Sequence, residues 1–337
     1  MSNKKVTIAE IAEHLQVSKA SVSRALNGMP GVGEDLRERV FQYAQEVGYQ
    51  LADSKKEAPA GSKVIGLVVG DIKNPFYVEL LFEIQKVLDE NGYRIMLFNS
   101  EYEVDREKQY LKLAKEFGLA GLILFTVPSD LPQEAFDGLE IPIIFVNRAM
   151  QIQNYDSVLL DNFRAGYIAA MHLIELGHKD IGFVSGPASS LSSMQRLDGF
   201  KQALTNYFLT PNEDFLWSGN LKLENGYAMA EEIFSHPVRP TAIVAGNDLM
   251  ALGILDYCRE HEISVPETLS IVAFDNIPYG GIHGIDLTTV DHNTAEMGRQ
   301  TAELMLRRLK DPATPIQRVI QEPKLVIRKT TGAPKAR

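Results

Sequence analysis

Near the N-terminus, the run Val17-Ser18-Lys19-Ala20-Ser21-Val22-Ser23-Arg24-Ala25-Leu26-Asn27-Gly28 splits its chemistry between two helix faces. Val22, Ala25 and Leu26 share one side at helical spacing. Lys19, Ala20, Ser21, Ser23 and Arg24 share the other. Short polar groups with two cations can reach base edges and phosphates from a helix in the major groove. Ala20 offers only an apolar contact, for example to a thymine methyl, so Lys19 and Arg24 carry the hydrogen-bonded readout. A second set lies in loops of the C-terminal part. Arg148 and Arg196 can each fork onto adjacent hydroxyls, and Asn247 and Asp275 can accept from others. Phe76 and Tyr77 offer flat faces to the C–H side of a sugar ring. This is the chemistry of polyol binding. Arg196 and Asp275 carry most weight, because opposite charges converging on a cleft mark a site.

The elements that position the first set are three short helices. Ile8, Ile11, Ala12 and Leu15 repeat at i, i+3, i+4 and i+7, with Thr7 and Glu10 as a capping box. Ser18 caps the second helix, and Asn27-Gly28 ends it. Leu36, Val40, Tyr43, Ala44 and Val47 mark a third, with Gly48 as its stop. Periodicity alone fits both a helix-turn-helix and an anonymous three-helix bundle.

From Val64 onward, apolar strands alternate with amphipathic helices. Strands are expected at 64–69, 94–98, 121–125, 143–146, 157–160, 181–184, 242–245, 271–274 and 325–327. Helices are expected near 76–91, 104–117, 162–176, 194–207, 225–235, 248–261 and 294–310. That pattern predicts doubly wound parallel sheets in two lobes, with ligand in the crevice beyond the strand carboxyl ends. No Walker loop or glycine fingerprint follows Val69.

The chain has 337 residues, 45% apolar, which implies two or three domains with sizeable cores. Its net charge is −10, yet residues 1–63 hold nine Lys/Arg against eight Asp/Glu. The acidity therefore belongs to the larger part, and phosphate neutralisation stays local to the N-terminal helices. The single cysteine, Cys258, rules out an internal disulfide framework. No apolar stretch spans a membrane, and polar helix signals stand where a signal peptide needs an apolar core, so a cytoplasmic location is expected. None of the seven histidines sits in a metal-binding pair or follows a nucleophile elbow; neither catalysis nor a cofactor is expected. His292, after the Thr288-Thr289-Val290 run, reads first as a packed loop histidine and second as one facing the cleft or a hinge strand.

Thr7-Ile8-Ala9-Glu10-Ile11-Ala12 together with Val17 to Asn27 resembles the headpiece of the lactose-repressor/galactose-repressor (LacI/GalR) family of bacterial transcription regulators. The resemblance implies that Lys19, Ala20 and Arg24 face the bases while Thr7, Ser18, Ser21, Ser23 and Asn27 hold the DNA backbone. It extends over nearly the whole chain. The Asn74-Pro75-Phe76-Tyr77 run, Asn147-Arg148, Asp161, Gly186-Pro187, Arg196, Gly246-Asn247-Asp248 and Phe274-Asp275-Asn276 resemble the family's ligand-contacting stations and those of periplasmic sugar-binding proteins. The implied architecture is an all-α headpiece at 1–49, a linker at 50–63 and a periplasmic-binding-protein-like core at 64–337. Its lobes would be approximately 64–160 plus 293–322, and 161–292 plus 323–337. The implied function is a repressor, a homodimer on a pseudo-palindromic double-stranded operator at the nucleoid, controlled by a carbohydrate effector. Effector and operator binding would be reciprocally coupled.

Four departures stand out. Leu51-Ala52 replaces the usual Pro-Asn step. Ala58, followed by Pro59, occupies the position of the minor-groove leucine wedge, which argues against hinge-helix kinking. Gly33 stands where relatives often carry a phosphate-touching serine. Ser190 replaces an arginine used by nucleobase-binding relatives. Two other classes remain open: a regulator answering to a phosphorylated carrier protein, and a sugar-binding transport protein.

Overall fold

A computed structural model describes residues 7–26, 31–47, 63–125, 133–136, 138–147, 154–188 and 190–335. Asn27 with Gly28, Gly48, the linker positions Leu51, Ala52, Ala58 and Pro59, and Arg148 lie outside the described residues. The chain divides into two compact units, Met1–Gly61 and Ser62–Arg337.

The first unit holds helices α1 (Ile8–His14), α2 (Lys19–Leu26) and α3 (Glu34–Glu46). Thr7 Oγ1 accepts the Glu10 N–H while Glu10 Oε2 accepts the Thr7 N–H at 2.8 Å, so the capping box is present. Ser18 Oγ accepts the Ser21 N–H at 3.0 Å and caps α2. Gln16 takes a left-handed turn (φ 56°) between the two helices. Ile11, Ala12, Val22, Ala25, Leu26, Val40 and Ala44 form one small core.

The second unit runs β1 (Val64–Val69), α4 (Pro75–Glu90), β2 (Arg94–Asn99), α5 (Val104–Glu116), β3 (Gly121–Leu124), β4 (Ile143–Val146) and β5 (Asp156–Leu160). It continues with α6 (Asn162–Glu175), β6 (Ile181–Ser185), α7 (Leu191–Asn206), β7 (Leu216–Ser218), α8 (Leu223–Ser235), β8 (Ala242–Ala245), α9 (Asp248–Glu260), β9 (Ser270–Phe274) and β10 (Thr288–Asp291). It closes with α10 (Thr294–Lys310), β11 (Arg318–Gln321) and β12 (Lys324–Val326). Two six-stranded sheets result, ordered β11-β5-β4-β3-β1-β2 and β12-β10-β9-β8-β6-β7. Each is a doubly wound order, with an expected ligand crevice beyond the carboxyl ends where the winding reverses. Helices α4 and α10 cover one face of the first sheet, and α5 the other. The second sheet lies between α6 and α7 on one face and α8 and α9 on the other.

The chain crosses between lobes after β5, after β10 and after β11. The sheets are parallel as expected, and the third crossing adds one antiparallel pair at the edge of the second. Strand β11 is parallel to β5, so its end points at the crevice; β12 enters the second lobe from that side and pairs antiparallel with β10. Strands β7, β10 and β11 are not among the expected strands: β7 and β11 are partly exposed edges, and the buried β10 is mostly Thr and Asp, so none is a continuous buried apolar run. Helix α7 begins at Leu191, three residues before the expected start, since Ser190 Oγ accepts the Ser193 N–H. Helices α6 and α7 approach through paired glycines. A Cβ on Gly166 would stand 1.9 Å from the Arg196 carbonyl oxygen, and one on Gly199 would stand 1.9 Å from that of Phe163.

Candidate functional site

In the first unit, Val22, Ala25 and Leu26 anchor α2, which leaves Lys19, Ala20 and Arg24 exposed on its outer face. Ser18 and Ser21 at the start of α2 lie with their hydroxyls 2.8 Å apart. Both hydroxyls belong to the cap, so a phosphate bond from either would replace or extend that contact. Thr7 is exposed within its capping box, and Ser23 is half-buried. Exposed cations on a helix held by two others is the geometry of a major-groove reader.

In the second unit, Arg196 is the centre. It projects from the first half of α7 and is buried. Its Nε donates to Asn162 Oδ1 at 2.9 Å, and Nη1 donates to the Gly246 carbonyl at 2.9 Å. Its Nη2 lies 3.1 Å from His292 Nε2 and 3.6 Å from Asp275 Oδ1. The guanidinium carbon stacks 4.6 Å from the Phe274 ring centroid. A guanidinium only donates, so His292 Nε2 accepts and the ring proton sits on Nδ1. That buried Nδ1 has no hydrogen-bond partner among the described residues.

The first lobe supplies aromatic faces. Asn74 Oδ1 accepts the Phe76 N–H at 3.0 Å and starts α4, with Pro75 in its first turn. Phe76 meets His292 edge-to-face at 6.2 Å, and Tyr77 meets Phe76 the same way at 5.5 Å. The Tyr77 and Tyr102 hydroxyls lie 3.4 Å apart. Burial raises the Tyr77 pKa well above its ordinary value, and Tyr102, Asp275 and Asp71 add to the shift. Tyr102 is pushed up to about 12 by desolvation of its hydroxyl, although the residue as a whole keeps 41% of its surface exposed. Both phenols therefore stay protonated as donors.

Burial lowers the Arg196 pKa, and the nearby Asp275 and Asp248 carboxylates oppose that shift. Burial likewise keeps His292 neutral. Asp275 holds its place at an uncommon φ of 106° at the end of β9. Asp248 is fully buried and raised by burial, with Asp275 adding to the effect. It accepts from the Ile277 N–H at 2.8 Å and the Thr289 hydroxyl at 2.6 Å. Asn247 caps α9, and Asp248 is its first residue.

The structure thus brings Phe76, Tyr77, Arg196 and Asp275 together. Asn247 is adjacent through Gly246, but its oxygen caps Met250 N–H at 2.9 Å and its nitrogen donates to the Leu221 carbonyl at 3.0 Å. Leu221 packs over Gly186, where a Cβ would meet its Cδ2 at 2.8 Å. Ser192 and Ser193 belong to the first turn of α7, and Ser192 Oγ donates to the Asn147 carbonyl at 3.3 Å. Three residues of the cluster were not selected from sequence: Asn162, His292 and Tyr102. Asn162 and His292 sit at two of the lobe crossings, a position that strand-end counting can find. Tyr102 follows β2, which was a readable strand end.

Residues 7–51 match the family described as bacterial regulatory proteins, lacI family. Residues 170–331 match the periplasmic binding protein-like domain. The chain is 30% identical over 334 residues to the HTH-type transcriptional regulator DegA of Bacillus subtilis strain 168, covering 97% of this chain and 98% of DegA. It is 28% identical to the HTH-type transcriptional repressor PurR of Aliivibrio salmonicida, covering 96% and 98%. Among solved structures, a LacI family regulator from Enterococcus faecium with bound ribose superposes at TM-score 0.72 and 28% identity, covering 80% of this chain and 99% of that one. Among the described residues, no helix is long and apolar enough to cross a membrane.

Proposed function

The chain belongs to the lacI family of bacterial regulatory proteins, and from that premise we propose that it is a homodimeric cytoplasmic repressor whose operator affinity is set by a carbohydrate effector in the interlobe cleft. The family is one of DNA-binding transcription regulators, not of enzymes. Lys19, Ala20 and Arg24 read base edges, and Thr7, Ser18, Ser21, Ser23 and Asn27 hold the DNA backbone. Phe76, Tyr77, Arg196 and Asp275, with Asn247 and Arg148, hold the effector. The headpiece spans 1–49, the linker 50–63 and the effector core 64–337.

The observation that carries this reading is the buried Arg196–Asp275–His292 cluster beside Phe76 and Tyr77. The Arg196 charge already faces Asp275, which favours a neutral polyol over a phosphate ester. The ribose complex of the Enterococcus faecium relative supports the same class. Exposed Val78 and Phe82 on α4, with exposed Tyr279 and Ile282, support self-association, which sets two headpieces on a pseudo-palindrome.

The test is a thermal-shift panel of pentoses, hexoses, disaccharides, their phosphates and nucleosides, followed by operator titrations with and without the hit. A neutral sugar should raise the melting temperature, and the rise should vanish in Arg196→Ala and Asp275→Ala. Operator affinity should change with saturating sugar, and sugar affinity should change with operator by the same factor. Equal operator affinity in both conditions would refute control by that sugar.

A further inference from the structure

We propose that Tyr102 is a specificity-determining residue of the effector cleft, which closes its first-lobe side so that the space fits one sugar ring. The inference rests on the cleft reading above and goes further by naming what limits effector size. Tyr102 follows the carboxyl end of β2, the edge strand beside β1, one strand out from the winding reversal between β1 and β3. Its hydroxyl lies 3.4 Å from that of Tyr77, whose ring meets Phe76 edge-to-face, as Phe76 meets His292. Through Phe76 and His292 the pair borders the cluster that holds Arg196 and Asp275.

The local chain is built to hold that ring. Glu101 and Tyr102 both adopt left-handed backbone, at φ 54° and 62°. Ser100 Oγ accepts the Tyr102 N–H at 3.3 Å and is itself 3.2 Å from Glu107 Oε1 and from the Val69 carbonyl. The ring lies over Gly70, where a Cβ would come within 2.2 Å of Tyr102 Cε1. Glycine at the end of β1 thus makes the seat for the phenol. The side chain still keeps an exposed surface, 41% of its maximum. An aromatic plane seated rigidly beside the cleft, with its hydroxyl inward and part of its surface open, suits stacking on a sugar ring and blocks a second ring beyond it.

Calorimetric titration of the full-length protein tests this with D-ribose, D-xylose, D-glucose, D-galactose and cellobiose. The wild type should bind at least one monosaccharide more tightly than cellobiose. Tyr102→Ala should weaken that monosaccharide by roughly tenfold and shift preference toward cellobiose. Tyr102→Phe keeps the plane and should retain the monosaccharide preference with a smaller loss. Gly70→Ala, which displaces the ring and leaves its chemistry intact, should reproduce the Tyr102→Ala shift in preference. If the wild type binds a monosaccharide and Tyr102→Ala leaves both affinity and preference unchanged, the role of Tyr102 is refuted while the cleft reading stands. Wild-type preference for cellobiose refutes the size limit alone. No binding of any of the five sugars refutes the neutral-sugar cleft reading and this inference with it.

Discussion

The Arg196 guanidinium stands 3.6 Å from the Asp275 carboxylate, and each side chain is only 7% exposed. Removing one partner strands the other as a buried charge, which typically costs about 3–5 kcal/mol. Asp275→Ala and Arg196→Ala should each lower urea-unfolding stability on that scale. The double variant should lose less than the sum of the two. Additivity within about 0.5 kcal/mol would mean that the two charges do not interact.

Arg196 also uses its planar fork, with Nε on Asn162 and Nη1 on the Gly246 carbonyl. Lysine keeps the charge and cannot reproduce those directions. Arg196→Lys should therefore lose effector binding in calorimetry while retaining more stability than Arg196→Ala. Wild-type effector affinity in the lysine variant would count against the fork.

Burial holds His292, and also His172 and His178, below the ordinary histidine pKa of 6.5. The folded state keeps them neutral where the unfolded chain takes up protons. Stability is then fully present above pH ~6.5 and is lost as pH falls toward the folded-state pKa values. A fully shifted histidine contributes a slope of at most about 1.4 kcal/mol per pH unit. Denaturant midpoints measured from pH 7.5 to pH 5 should fall, and His292→Gln should flatten the fall. An equally steep fall in that variant would remove His292 from the account.

The Gly166 and Gly199 contacts between α6 and α7 leave no space for a methyl. Gly166→Ala presses on the Arg196 carbonyl itself, so it should cost about 1–3 kcal/mol and weaken effector binding together. Paired thermal melts and effector titrations read both. Lost stability with unchanged effector affinity would show that the backbone shift is absorbed before it reaches the guanidinium.

In the headpiece, a Cβ at Gly33 meets nothing within 4 Å, and the Gly33 carbonyl accepts the Arg37 N–H at 3.1 Å. Gly33→Ser fits without strain and should add only about 0.3 kcal/mol of stability, since glycine already caps well. A serine hydroxyl at this position adds a phosphate donor. Phosphate contacts carry no base information, so affinity should rise for operator and scrambled duplex alike. Fluorescence anisotropy with both duplexes checks this; a gain confined to the operator would argue against a phosphate contact.

Local signals made much of this protein legible as sequence. The Thr7–Glu10 box, the Ser18 cap and the 3.6-residue spacing of Val22, Ala25 and Leu26 act within a few residues, so helix α2 and its exposed face followed directly. Continuous apolar runs separated by amphipathic helices foretold two lobes, and strand ends pointed to Phe76, Tyr77, Arg196 and Asp275. His292 read as packing, because a lone histidine after a strand carries no local mark of its partner. That partner, Arg196, is 96 residues away in sequence, and Asn162 is 34 residues from the same guanidinium. Tyr102 gave no periodic or capping signal, and its seat over Gly70 exists only where β1 and β2 run side by side. The antiparallel last strand had the same origin, in the direction from which the chain re-enters the second lobe. Residue type and spacing determined the helices, the lobes and the charged groups available. Tertiary structure decided which of those groups are buried against each other, because burial and hydrogen-bond partners depend on chain segments that only the crossings between lobes bring together.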